Sequence, residues 1–333
     1  LMRIHKEVTY IIAEIGINHD GDLRKISKLI KLAKEAGANA VKFQLFEAST
    51  LANKANKKKY KLFKSYKNET LFQMWKRLTI KKNWLIKIES LCKNFEIDLG
   101  FSVFDIKSLE MLNGIKYTFL KIASGDLNDH FLIKKILSKK KYNILSTGMA
   151  DAKEIKQTCK LFNKKKLTLL HCVSLYPTSI NNINLRRMIK LKKYSTSVGF
   201  SDHTIGVNAS IKAITMGATI IEKHFTYDNK ADGPDHSSSA NFHQLKIICD
   251  FAKSHQRLLG SGKISPSEEE IKMRIFARKS IYASQNIEIG NCFTYKNIKC
   301  ARPGTGIDAS FFEKIIGKKS KSFLKKGDLI KLL

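Results

Sequence analysis

Lys42 and Gln44 stand two residues apart in the run AVKFQ, and Glu222 and His224 stand two apart in IIEKH. On a strand, residues i and i+2 share a face. Each pair then points one way, setting a cation beside an amide and a carboxylate beside an imidazole. A lysine inside a sheet is costly unless it meets a carboxylate or awaits an anion. Lys121 poses the same question. Two answers are open: an ion pair of Lys42 or Lys121 with Glu14 or Glu222, or an anionic ligand. Ser124 and Ser146 open glycine-containing turns, Ser124-Gly125-Asp126 and Ser146-Thr147-Gly148, and together with the two lysines they favour a phosphate or carboxylate site. His203 and His224, with Asp202 and Glu222 beside them, suit a divalent metal. Two imidazoles with oxygen ligands fit an open site for a labile ion such as Mn2+ or Mg2+ better than a closed zinc site. His171 and His236 read instead as structural or hydrogen-bonding.

These residues need elements to hold them. β-rich runs at 9–15, 40–44, 97–102, 119–122, 143–146, 167–171, 197–201 and 219–224 alternate with amphipathic stretches. One helical pattern runs through Leu29, Ile30 and Ala33 to a stop at Gly37, and another covers 81–95. Further helices open at Asp105 and near Asp129, Asp151, Asn184, Gly206 and Ala240. Eight strand-helix repeats predict an α/β protein built as a (β/α)8 barrel. EIGINHDGD after the first strand is not the GxGxxG of a dinucleotide-binding sheet. A barrel of this kind places its chemistry at the C-terminal strand ends. There stand Glu14, Lys42 and Gln44, Ser102, Lys121 with Ser124, Ser146, His171 with Ser174 and Tyr176, Ser201 with His203, and Glu222 with His224. All eight ends are polar. The barrel is expected over 1–262, a connecting segment with an acidic helix start over 263–276, and a small mostly-β domain over 277–333.

Composition closes off other classes. With 43% hydrophobic and 27% charged residues in 333, the chain is globular, not disordered. The six cysteines form no CxxC pair and read as reduced thiols. No apolar run reaches membrane-spanning length, and the start LMRIHKEVTYIIAEIGINHD lacks a secretory cleavage site. A cytoplasmic protein is expected. The net charge of +32 raises nucleic-acid binding. The excess, however, is scattered, with KKK runs at 57–59, 139–141 and 164–166 and no basic tail, and reads as a lysine-filled surface that draws small anions.

The motifs EIGINHDGD, AVKFQ, KIASGD, ILSTGM, LLHCVSLYPT, GFSDHT, EKHFT with GPDH, and ARPGTGI resemble, in order and along nearly the whole chain, the sialic acid synthase family. The likeness is weakest around 50–75. It implies condensation of phosphoenolpyruvate with an N-acetylated amino-sugar aldehyde and water to a nine-carbon 2-keto acid and phosphate. It also implies a C-terminal antifreeze-like (SAF) domain that closes over the partner's site in a domain-swapped homodimer. The resemblance assigns His203 and His224 to a divalent metal, usually Mn2+, with Mg2+ or Co2+ as alternatives. It assigns Lys42, Lys121, Ser124, Ser146 and Ser201 to phosphoenolpyruvate, Glu14 to proton handling, and Gln44, Ser102, Tyr176, Glu222, Asp235 and Arg302 to the sugar side. Ser174 stands where synthases of N-acetylneuraminate carry Asn. The shorter side chain makes room for a 2,4-diacetamido-trideoxyhexose beside N-acetylmannosamine as the acceptor. A metal-dependent sugar isomerase or aldolase on the same barrel is the alternative enzyme, but it has no use for two lysines poised for a trianion.

Overall fold

The computed structural model describes residues 8–52, 54–55 and 69–331. Strands β1 (Tyr10–Gly16), β2 (Ala40–Leu45), β3 (Asp98–Val103), β4 (Phe119–Ile122), β5 (Tyr142–Ser146), β6 (Leu167–Cys172), β7 (Ser197–Asp202) and β8 (Ile220–His224) close into a parallel barrel in sequence order. The expected strands agree to within a residue or two, because each is an apolar run buried on both faces.

Side chains of one parity face the surrounding helices. Ile11, Ala13 and Ile15 of β1 join Leu29, Ile30 and Ala33 of the helix Leu23–Ala36 in the main core. Asp22 caps that helix through the Arg24 N–H, and left-handed Gly37 ends it. Side chains of the other parity fill the interior in two tiers. Ile12, Ala40, Phe119, Ile144, Leu170 and Ile220 make an apolar lower tier. The Phe119 ring passes so near Gly100 that a Cβ there would lie 2.2 Å from it, so glycine is required for the ring to pack in this tier. On seven strands the next inward residues toward the C-terminal ends are polar: Glu14, Lys42, Ser102, Lys121, Ser146, Ser201 and Glu222 are all buried, and β6 is the exception with Cys172.

The chain divides into compact units Leu1–Gly260 and Ser261–Leu333. Within 263–276 the structure places most of a helix, Glu268–Ala277, capped by a Ser267–Glu270 box with three glutamates in its first turn. The second unit pairs β9 (Ser280–Ala283) with β10 (Ile298–Ala301) antiparallel around a core including Ile281, Phe293 and Ile298. The segment between β2 and β3 carries helices Ala48–Leu51, Leu71–Leu78 and Lys82–Asn94. The lysine run 57–59 lies outside the described residues, while Lys164–Lys166 are exposed. No helix among the described residues is long and apolar enough to cross a membrane, and all six cysteines are free.

Candidate active site

Strand register assembles the polar tier. Glu14 pairs with Lys42 on one side and with His224 on the other. Gln44 pairs with Ser102, Ser102 with Lys121, and Ser201 with Glu222. Partners across a parallel ladder face the same way, so the pairs meet inside the barrel.

The distances show ion pairs for both lysines. Lys42 Nζ lies 2.6 Å from Glu14 Oε2, 3.6 Å from Glu222 Oε2, and donates to Ser102 Oγ at 2.6 Å. Lys121 Nζ lies 2.6 Å from Glu222 Oε1, which also accepts from Ser201 Oγ at 2.8 Å. Each lysine thus meets a carboxyl partner inside the barrel. Burial alone would raise the Glu222 carboxyl, yet Lys121 and Lys42 hold it well below the carboxylate range. Burial wins at Glu14, which is raised against the pull of Lys42, with the Glu222 charge adding to the rise. Gln44 Nε2 donates to Glu14 Oε1 at 3.1 Å and fixes its orientation.

Above this tier opens a cavity of about 540 Å3. Its walls bring together Glu14, Gln44, Ser102, Lys121, Ser124, Ser146, Tyr176, His203, His224 and Asp235 of the expected set. Lys42, Ser201 and Glu222 lie beneath the wall, not in it: Lys42 and Glu222 are 1% exposed and held by the contacts just given. Arg302 is exposed directly after β10 in the C-terminal unit. Ser146 Oγ is buried without a hydrogen-bond partner, while Ser124 Oγ meets Ser174 Oγ at 2.8 Å.

The His203 and His224 ring centres are 5.7 Å apart, and the Tyr176 ring lies tilted against His203 at 4.1 Å. Burial pushes His203 down to about 4 and His224 well below its ordinary value, so both rings are neutral at pH 7 and competent as ligands. His203 Nδ1 sits 2.7 Å from the Val173 carbonyl, a contact that fixes ring orientation in metal-binding histidines. Buried His224 Nδ1 has no hydrogen-bond partner, with Asp235 Oδ2 3.5 Å away. Among the described residues no three His, Cys, Asp or Glu side chains converge. Two neutral imidazoles would leave any ion they hold with positions open to substrate or water. Burial lifts the Asp235 carboxyl to about 7, with the Glu14 charge adding to it. His171 is structural: it stacks on Phe200, and its Nε2 lies 2.6 Å from the Ile183 carbonyl.

Two features of the wall escape the sequence reading. One is Asp126, whose buried Oδ2 has no partner and whose carboxyl is raised by burial, then by Asp129, to about 6. Between its unfolded value of 3.8 and 6 the native state holds more protons, so wild-type stability falls as pH rises through that window. Asp126→Asn should flatten that limb in melting temperature measured against pH; an unchanged limb contradicts the assignment. The other is an apolar sector above β1–β3: Ile17, Leu51, Met74, Trp75 and Phe104. The helix Leu71–Leu78 presents Met74 inward from a Thr70–Gln73 capping box, a signal visible in the sequence as Thr-x-x-Gln before the Met74–Leu78 spacing.

A family model described as the NeuB family matches residues 29–264, and a SAF domain model matches residues 278–332. The chain is 37% identical over 330 residues to N,N'-diacetyllegionaminic acid synthase of Campylobacter jejuni, covering 97% of this chain and 99% of that protein. It is 34% identical over 327 residues to pseudaminic acid synthase of the same species, covering 97% and 95%. Among solved structures it is similar to the N-acetylneuraminic acid synthetase of Leptospira borgpetersenii in complex with citrate. That similarity has a TM-score of 0.70 and 33% identity over 81% of this chain and 92% of that one. Barrel, cavity and these likenesses lead to one conclusion: the chain belongs to the NeuB family and is an enzyme of the nonulosonic acid synthase kind, with a SAF domain behind its barrel.

Proposed function

We propose that this enzyme condenses phosphoenolpyruvate with a 2,4-diacetamido-trideoxyhexose and water, giving a nine-carbon 2-keto acid and phosphate. The observation that carries the reading is the convergence, in one cavity, of a buried ammonium, an unpartnered serine hydroxyl and two neutral imidazoles. Lys121, Ser124 and Ser146 hold the phosphate and carboxylate of phosphoenolpyruvate over β4 and β5, and Lys42 and Ser201 support them from below. His203 and His224 are the residues that would hold a divalent ion, Mn2+ first, with Mg2+ or Co2+ as alternatives. Bound there, such an ion supplies Lewis acidity to the aldehyde oxygen. C3 of the enol attacks the aldehyde carbon, forming the new C–C bond. Water then adds at C2, and the tetrahedral centre collapses by C–O cleavage to release phosphate. Glu14, raised by burial and oriented by Gln44, handles the proton of that water, a contribution of roughly 10²–10⁴-fold. Asp235 and Tyr176 face the sugar, and Arg302 serves the sugar's N-acetyl group across a domain-swapped homodimer. Glu222 acts as the counter-ion of Lys121 in this scheme.

Two observations support the deoxy sugar. The named relatives at 34–37% identity make legionaminic and pseudaminic acids, and the apolar sector of Leu51, Met74, Trp75 and Phe104 gives a methyl terminus contact. A hydroxyl there loses its water without a replacement, at a cost of about 1–3 kcal/mol. We expect phosphate release with the diacetamido sugar to exceed that with N-acetylmannosamine by roughly tenfold or more in kcat/KM. Product mass and phosphate assay with each acceptor decide this. Preference for N-acetylmannosamine overturns the acceptor, and phosphate release with neither overturns the reaction.

A further inference from the structure

The motif INHDGD follows β1, yet the reaction scheme uses none of its side chains. Its polar groups reach across to the loop after β8, which carries Asp235. Asn18 Nδ2 donates to the Phe225 carbonyl and to Ser239 Oγ, both at 2.9 Å. Asp20 Oδ1 lies 3.0 Å from His236 Nε2, while Asp20 Oδ2 accepts from Lys25 Nζ at 2.7 Å and from the Tyr227 hydroxyl at 3.1 Å. His236 is fully buried, and its Nδ1 sits 2.6 Å from Thr226 Oγ1, so both ring nitrogens are engaged. The loop is pinned on both sides of the pair. The Asp235 carbonyl accepts from Ser239 Oγ at 2.6 Å, and Asn229 Nδ2 donates to the carbonyls of His236 and Ser239. Gly233 packs so closely that a Cβ would lie 2.4 Å from the His236 ring and 3.1 Å from Asp20 Oδ1.

We infer that Asp20 is a positioning residue: through His236 it sets the loop that aims the Asp235 carboxyl into the cavity beside His224. A buried carboxylate–imidazole pair between two loops is a local device, since it joins the strand end that supplies Glu14 to the one that supplies His224 and Asp235. It lies away from the hydroxyls of β4 and β5, so disturbing it should move the sugar side and spare the anion side. The inference rests on the reading of Asp235 as a sugar-facing group.

The test uses the full-length enzyme with Asp20→Asn and, separately, Gly233→Ala, which presses a methyl on His236 while deleting no hydrogen-bonding group. Both should lower kcat/KM for the sugar by about tenfold or more, while KM for phosphoenolpyruvate and the melting shift it produces stay within about twofold of wild type. Equal effects on both substrates, no effect on either, or loss of the fold in both variants overturns the inference. A second readout needs no turnover: the ring 15N signals of His236 and His224 in metal-free protein should both move in Asp20→Asn. An unmoved His224 signal overturns it. If the wild type releases no phosphate with any acceptor, the proposed reaction fails while the ring signals still decide the positioning role.

Discussion

Replacing Lys121 by Met should cost the barrel about 3–5 kcal/mol and abolish the thermal stabilisation that phosphoenolpyruvate confers. The reason is charge balance among buried groups. Lys42 lies 2.6 Å from Glu14 and Lys121 lies 2.6 Å from Glu222, so each lysine has a carboxyl partner. Deleting one ammonium leaves Glu222, 1% exposed, with Ser201 and the longer 3.6 Å contact to Lys42. The double variant Lys121→Met with Glu222→Gln restores neutrality, so much of the stability should return while activity stays lost. Chemical denaturation separates the two effects. A single variant that melts like wild type and still responds to phosphoenolpyruvate would show that this ammonium neither balances the tier nor binds the anion.

Loss of the imidazoles should strike the rate and spare the anion. Stabilising a developing alkoxide is worth several kcal/mol, so His203→Ala or His224→Ala should lower kcat on the order of a thousandfold or more. Wild-type turnover should stop with a chelator and resume with added Mn2+, whereas neither variant should be rescued. The melting shift with phosphoenolpyruvate should persist in both, because Lys121 and Ser146 stand on β4 and β5 and Ser124 in the turn after β4. His203 also loses its 2.7 Å contact to the Val173 carbonyl, a cost of about 1–3 kcal/mol that melting reads independently. Turnover indifferent to chelator, or surviving the removal of both rings, ends the metal role.

The barrel was legible because each strand is an apolar run that two-sided burial demands, and strand-end polarity then marks the reacting face. Thus Glu14, Lys121, Ser146, His203 and His224 could be named from type and position. Pairing could not: nothing in a linear string says that Lys121 takes Glu222 while Lys42 takes Glu14, since register across four strands decides it. Depth was hidden for the same reason. Lys42 and Ser201 are of the expected residue types but sit below the wall, one inward step short of Gln44 and His203, which line it. The apolar sector was obscured because Met74 and Trp75 lie on a short helix in the stretch where resemblance is weakest, and their spacing reads as ordinary packing. Asp126 looked like part of a turn; only its buried, unpartnered oxygen sets it apart.

Phe119, wedged against Gly100, fills the apolar tier beneath the polar one, so substrates are expected to reach the cavity from the strand-end side. Reactants and products would then queue. If the enol phosphate takes the deeper seat by Lys121 and Ser146, as proposed, it should enter ahead of the sugar, and its inorganic remnant should leave behind the finished acid. Steady-state kinetics should therefore be ordered, with phosphate competing against phosphoenolpyruvate and not against the sugar.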